Sequence, residues 1–142
     1  MLNNDAAFLS FICTLTAVEA LGRFMSSAAG NGDRFKEFIR RYFPDPFPAQ
    51  ADDLWKLRND IVHGFSTGPY GLIHHASHLH LKKDKQGRPI LNAEDFYAAL
   101  VTAFNRYFDE VPKDPSLQAN IITRANSAKS GILVVGEAEI IL

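Results

Sequence analysis

Apolar residues recur every three or four positions through most of this chain, and that spacing restricts its fold more than any other feature. In the first segment, the residues that follow it are Phe8, Phe11, Ile12, Leu15, Val18, Leu21 and Met25. An α-helix advances about 100° per residue, so residues at these intervals share one face. The pattern predicts an amphipathic helix over residues 4–28, which the small residues of SSAAGNG end.

Three further segments show the same spacing, with prolines or glycines between them. GDRFKEFIRRYF predicts a second helix that ends at PDPFP, and a third covers residues 50–65. Asn92 is the expected N-cap of a fourth helix that runs to Val111, and SLQANIITRANSAKS predicts a weaker fifth. The chain should therefore be mainly α, a bundle of four or five helices.

Two segments depart from helical spacing. HLHLKKD, KQGR and PIL together predict a small β-hairpin with Gly87 in its turn, inside an insert over residues 72–91. GILVVGEAEIIL is apolar and rich in β-formers, so we expect a C-terminal strand within an extension over 114–142. That strand would cover the hairpin or pair with a neighbouring subunit. A length of 142 residues predicts one domain, 1–142.

Composition and charge exclude several classes of protein. An apolar content of 46% is enough for a core, and a net charge of −1 gives no general attraction to nucleic acid. The single Cys13 excludes an internal disulfide framework. Asp5 and Glu19 bracket AAFLSFICTLTA, no Lys or Arg precedes it, and the run looks too short and interrupted to span a bilayer. We expect a cytoplasmic protein with no membrane association.

The third predicted helix contains LWKLRNDIVHGFS, whose polar residues suit phosphodiester chemistry. Asn59 and His63 are four residues apart and lie on nearly the same face, whereas Arg58 is about 140° around the axis from His63. Arginine offers a planar fork to phosphate oxygens, histidine transfers protons near neutral pH, and asparagine can orient an imidazole. On an ordinary helix surface, Arg58 would instead pair with Asp60 or with an acid earlier in the chain.

LRNDIVHG resembles the signature of the HEPN superfamily: an arginine, a polar residue, three variable positions and a histidine on a helix of a small bundle. The resemblance implies a homodimeric, metal-independent endoribonuclease that needs no cofactor. It implies that Arg58 binds the phosphate, that His63 is general acid or base or orients the 2′-hydroxyl, and that Asn59 supports them. Family members of this kind act in toxin–antitoxin and defence systems, with an antitoxin or nucleotidyltransferase as partner.

The match departs from one toxin branch of that family and leaves alternatives open. Phe65 stands two residues after the histidine, where that branch has a tyrosine modified by its partner. Some family members have lost catalysis, so the chain could be an inactive HEPN-like module that binds RNA, a nucleotide or a protein. A third alternative is an unrelated helical dimerisation protein in which Arg58 and Asn59 are structural.

Four histidines crowd one short segment, at His74, His75, His78 and His80. On an extended strand, His78 and His80 would share a side and could share a metal ion. A closed zinc site requires four ligands and the only cysteine is distant in sequence, so we predict no metal. The segment would then be a polar strand face, or would line an RNA cleft. In that cleft the phosphate contacts would come from Lys56, His78, His80 and Lys82.

RFKEFIRRYF interleaves basic and aromatic residues, as single-stranded RNA-binding segments do. Its regular helical spacing favours the simpler interpretation, in which the aromatic residues are core and the basic residues, Arg34 among them, face solvent. The same reasoning assigns the row Phe96, Phe104 and Phe108 to the core.

Overall fold

The computed structural model describes residues 4–127 as a bundle of five α-helices with a small two-stranded sheet. The helices are α1 (Asn4–Met25), α2 (Asn31–Tyr42), α3 (Ala51–Gly64), α4 (Ala93–Glu110) and α5 (Pro115–Ser127). The strands are β1 (Gly71–Ile73) and β2 (Ile90–Asn92), and short 3₁₀ turns cover Phe47–Gln50, Ser77–Leu79 and Val111–Lys113. The predicted mainly α fold is confirmed. The predicted C-terminal strand lies outside the described residues.

The long helix α1 is the centre of the bundle and packs against α2, α3, α4 and α5. Gly22 permits a close approach to α2, because a Cβ atom there would lie 2.7 Å from the backbone oxygen of Arg34. Among the described helices, α1 is long and apolar enough to cross a membrane by length and composition. The helix that meets this criterion is Asp5–Met25, which is longer than the run AAFLSFICTLTA considered from the sequence, and the core helix of a soluble protein meets it too. In the bundle, its apolar face contributes Phe11, Leu15 and Val18 to the core.

Helix α2 buries its aromatic face as predicted but also buries one of its basic residues. Phe35, Phe38 and Tyr42 are buried in the core. Arg34 was expected in solvent and is buried instead. Its guanidinium donates hydrogen bonds of 2.8 Å to the backbone oxygens of Ala28 and Ala29, so it fastens the loop between α1 and α2.

The aromatic row of α4 is only partly in the core, which corrects the sequence prediction. Phe96 is fully buried, whereas Phe104 and Phe108 are both 45% exposed. Residues spaced by four drift about 40° per step around a helix, so Phe108 lies about 120° from Phe96. Ala103 and Tyr107 occupy the core positions that the row was expected to fill.

The sheet is parallel, not the predicted antiparallel hairpin. Leu72 of β1 pairs with Leu91 of β2. The antiparallel pairing that was expected around Gly87 forms no regular strands. It consists of the bridge between Lys83 and Pro89 and of backbone hydrogen bonds that join residues 81–84 to 88–90. Residues 74–80 do not form a strand, because a 3₁₀ turn covers Ser77–Leu79 and His75 has a left-handed backbone (φ 54°).

Asn92 stands at the start of α4 as predicted, but its side chain does not cap that helix. Its Oδ1 accepts the backbone N–H of Ala76 at 3.1 Å, and its Nδ2 donates to Asp95 at 2.6 Å. The buried side chain therefore fixes the loop after β1 against α4.

Candidate functional site

Helix α3 carries the polar cluster because its opposite face anchors it in the core. Leu54, Leu57 and Ile61 are buried at the helical spacing of three and four residues. The helix ends at Gly64, and the next residue, Phe65, has a left-handed backbone (φ 49°) and donates its N–H to the oxygen of Ile61 at 3.2 Å. Glycine usually takes this position, and a bulky residue there is uncommon. The strain lies two residues from His63, and strained backbone of this kind is found at functional sites.

The guanidinium of Arg58 is held by an acid from another helix. Its Nε and Nη2 lie 2.8 and 2.7 Å from Oε2 of Glu19 in α1, and its Nη1 donates to Oδ1 of Asn59 at 3.1 Å. The Arg58 and Glu19 side chains are only 20% and 17% exposed. The pairing with an earlier acid, which the sequence left open as an alternative, is therefore present. Within the part of the chain that is described, these contacts use three of the five N–H donors of arginine and leave two for another acceptor.

Trp55 supports the same guanidinium from its aromatic face. The Arg58 guanidinium carbon lies 5.3 Å from the centre of the Trp55 ring, within the range of a cation–π contact. Trp55 in turn packs on Phe35 of α2, with ring centres 5.2 Å apart. Gly32 makes room for the indole, because a Cβ there would lie 2.9 Å from it. Arg58 is thus held by side chains of α1 and of its own helix, and α2 supports it indirectly through Trp55.

His63 differs from Arg58 and Asn59 in being exposed. It lies in the last turn of α3, and its imidazole makes no side-chain hydrogen bond or ion pair with residues 4–127. It is five positions after Arg58, which corresponds to about 7.5 Å along the helix axis. Within one chain, therefore, Arg58 is hydrogen-bonded to Asn59, whereas the His63 side chain is hydrogen-bonded to neither.

Two large apolar side chains flank His63 on the surface. Val62 is 45% exposed and Phe65 is 81% exposed. The end of α3 thus combines a proton-transfer group with an uncovered apolar surface.

The other residues predicted to contact RNA have different surroundings. Lys56 is exposed and lies 3.9 Å from Asp60, while His78 and Lys82 are also exposed. His80 has a role within the fold: its ring packs on Phe47, and its Nδ1 accepts the N–H of Asn92 at 3.1 Å. Burial lowers the pKa of His80, although nearby Asp95 acts in the opposite direction.

The histidine segment assembles differently from the expectation. Possible metal-ligand atoms of His74, His75 and Glu94, the last from α4, all lie within 4.8 Å of one another. His78 and His80 could share a metal ion only on a strand, and residues 74–80 do not form one. Sequence reasoning missed Glu94, as it missed Glu19 and Trp55. Glu94 and Glu19 lie far along the chain from the residues they contact. Trp55 lies on the apolar face of its helix, which residue spacing assigns to the core.

The arrangement on α3 can bind an anion at Arg58 and transfer a proton at His63. Comparisons with protein-family profiles, curated proteins and solved structures found no match to this chain.

Proposed function

We propose that the protein is a HEPN-like, metal-independent endoribonuclease that works as a homodimer in the cytoplasm. The arrangement of side chains at the end of α3 carries the proposal. There His63 is exposed between Val62 and Phe65, and Arg58 one turn earlier is held in one orientation by Glu19 and Trp55.

The proposed reaction is transesterification of an RNA phosphodiester. A base removes the proton of the 2′-hydroxyl, the 2′-oxygen attacks phosphorus, and an acid protonates the leaving 5′-oxygen. The products are a 2′,3′-cyclic phosphate and a free 5′-hydroxyl. In this scheme His63 is the general acid or base, and the two remaining N–H donors of Arg58 stabilise the charge on the phosphate. Asn59 keeps the guanidinium in place through the bond of 3.1 Å.

The homodimer supplies what one chain lacks. A two-fold contact through the end of α3 would cover Phe65 and bring a second pair of Arg58 and His63 to the same cleft. One histidine would then act as base and its mate as acid. In sedimentation analysis we expect a dimer that Phe65→Ser dissociates and that Phe104→Ser, a matched change on the exposed face of α4, leaves intact. A monomeric wild-type protein would contradict this proposal.

A cleavage assay tests the reaction. Purified protein in excess chelator should cut a single-stranded RNA and leave fragments that end in 2′,3′-cyclic phosphate. An oligonucleotide of the same sequence with 2′-deoxyribose should stay intact, because it has no nucleophile. Cleavage of the deoxy substrate, or a requirement for added metal, would contradict the mechanism.

A second candidate is an inactive HEPN-like module that binds a protein, RNA or nucleotide. Two observations favour it: Glu19 neutralises much of the charge of Arg58, and α4 exposes Tyr97, Val101, Phe104 and Phe108 along one side. This candidate predicts binding without RNA cleavage. A toxin or defence role with an antitoxin or nucleotidyltransferase partner remains part of the first proposal. Phe65 argues against regulation by tyrosine modification at that position.

A further inference from the structure

Three metal-binding side chains meet where the loop after β1 passes the first turn of α4. The ligand atoms of His74, His75 and Glu94 all lie within 4.8 Å of one another. His75 Nδ1 is 3.0 Å from Oε1 of Glu94, and the backbone N–H of His75 donates to Oε2 at the same distance. The carboxylate thus holds the loop and the imidazole together.

The backbone conformation of His75 makes this convergence possible. Neighbouring residues of a strand point to opposite sides, which would separate His74 from His75. Here His75 is left-handed (φ 54°), and the two rings lie 5.0 Å apart. That conformation is uncommon for a residue other than glycine, and it persists where the surroundings enforce it. The enforcing contacts are the bonds from the loop to Glu94 and to the buried Asn92.

The donor set identifies the class of ligand. Two imidazole nitrogens and one carboxylate oxygen suit Zn²⁺ and similar divalent transition metals, and they are a poor set for Ca²⁺ or Mg²⁺. Ligand atoms bound to Zn²⁺ at about 2.1 Å stand about 3–4 Å from one another, so small side-chain rotations would complete the geometry. His75 is 46% exposed, which leaves one side of the cluster open to water.

We propose that His74, His75 and Glu94 bind one divalent transition-metal ion, with Zn²⁺ preferred and one coordination position open to solvent. None of the three is part of the proposed RNA cleavage site, so the metal site stands or falls independently of that function. Bound metal would join the loop after β1 to α4.

Calorimetric titration of the chelator-stripped, untagged full-length protein with Zn²⁺ tests the site. We expect saturable binding of one ion per chain in the micromolar range or tighter, and a visible absorption band for tetrahedral Co²⁺. His75→Ala and Glu94→Gln should each weaken binding at least about tenfold, since even the loss of an outer-shell partner costs that much. Zn²⁺ should raise the Tm of the wild type and leave that of His75→Ala unchanged.

The matched control is His78→Ala, an exposed histidine of the same segment that lies outside the cluster. It should bind Zn²⁺ as the wild type does. Circular dichroism would verify that each variant is folded, and Glu94→Gln preserves side-chain size in case His75→Ala disturbs the loop. Absence of saturable binding, or an equal loss of affinity in His78→Ala, would overturn the assignment. RNA cleavage in excess chelator bears only on the proposed function.

Discussion

The ion pair between Arg58 and Glu19 should couple α3 to α1 strongly enough to measure. Arg58→Ala removes the hydrogen bond and ion pair to Glu19, one hydrogen bond to Asn59 and the contact with Trp55. Bonds to charged groups contribute about 1.5–3 kcal/mol, and an exposed cation–π contact adds about 0.5–1 kcal/mol. Because both charged side chains keep about a fifth of their exposure, solvent screens part of this. The free energy of unfolding should fall by about 2–3 kcal/mol.

A double-mutant cycle isolates the pair. Urea unfolding of the wild type, Glu19→Ala, Arg58→Ala and the double variant should give a coupling energy of about 1–2 kcal/mol. Trp55 is the single tryptophan and touches Arg58, so its fluorescence reports the region while circular dichroism reports the whole fold. All four proteins must be compared at one concentration, because a dimer gains stability with concentration.

The exposed pair of Lys56 and Asp60 in the same helix is the matched control. Its atoms are 3.9 Å apart and Lys56 is 66% exposed, so its cycle should give no more than about 0.5 kcal/mol. If the Arg58–Glu19 coupling is equally small, the pair is a surface contact and the reasoning about a fixed guanidinium is refuted.

Three further predictions concern close packing, helix register and protonation. Gly22→Ala should lower the Tm despite the better helix propensity of alanine, because its Cβ would lie 2.7 Å from the α2 backbone. Gly64→Ala is the control and should be neutral or stabilising, because a Cβ there would have no atom within 4 Å. Phe96→Ala should cost about 3–5 kcal/mol in urea unfolding and Phe104→Ala clearly less, and equal losses would contradict the register of α4. An NMR titration should place the pKa of His80 below its ordinary 6.5. Its contribution to stability should then be complete above that pH and decline as the pH falls towards the folded-state pKa, a dependence that His80→Gln should remove.

The helices could be predicted because local signals determined them. Apolar spacing set their faces, and prolines and glycines set their ends, as at PDPFP after α2. The same spacing failed for Phe104 and Phe108, because a four-residue repeat drifts around the helix and only tertiary packing determines where the core ends. Arg34 likewise became buried through bonds to carbonyls of the loop before it, which no periodicity reveals.

The site was less accessible to prediction because its geometry depends on residues distant in sequence. Arg58, Asn59 and His63 were recognisable as polar residues on one helix, but the partner Glu19 lies 39 positions away from Arg58. The left-handed backbone of His75 places its side chain near that of His74, which a strand would not, and both lie close to Glu94. Local sequence pattern predicted the turn at Gly87, where backbone hydrogen bonds join residues 81–84 to 88–90. It could not predict the parallel pairing of β1 with β2, because those strands lie at opposite ends of the insert.

The most direct test of the proposed function is the rate of RNA cleavage by His63→Ala in excess chelator. We predict a loss of at least about a hundredfold relative to wild type, the usual contribution of a general acid or base, with an unchanged circular dichroism spectrum and partial rescue by added imidazole. Lys113→Ala, an exposed cation on the turn after α4, should cleave at the wild-type rate. Cleavage by folded His63→Ala at the wild-type rate would contradict the central claim that the end of α3 is the active site.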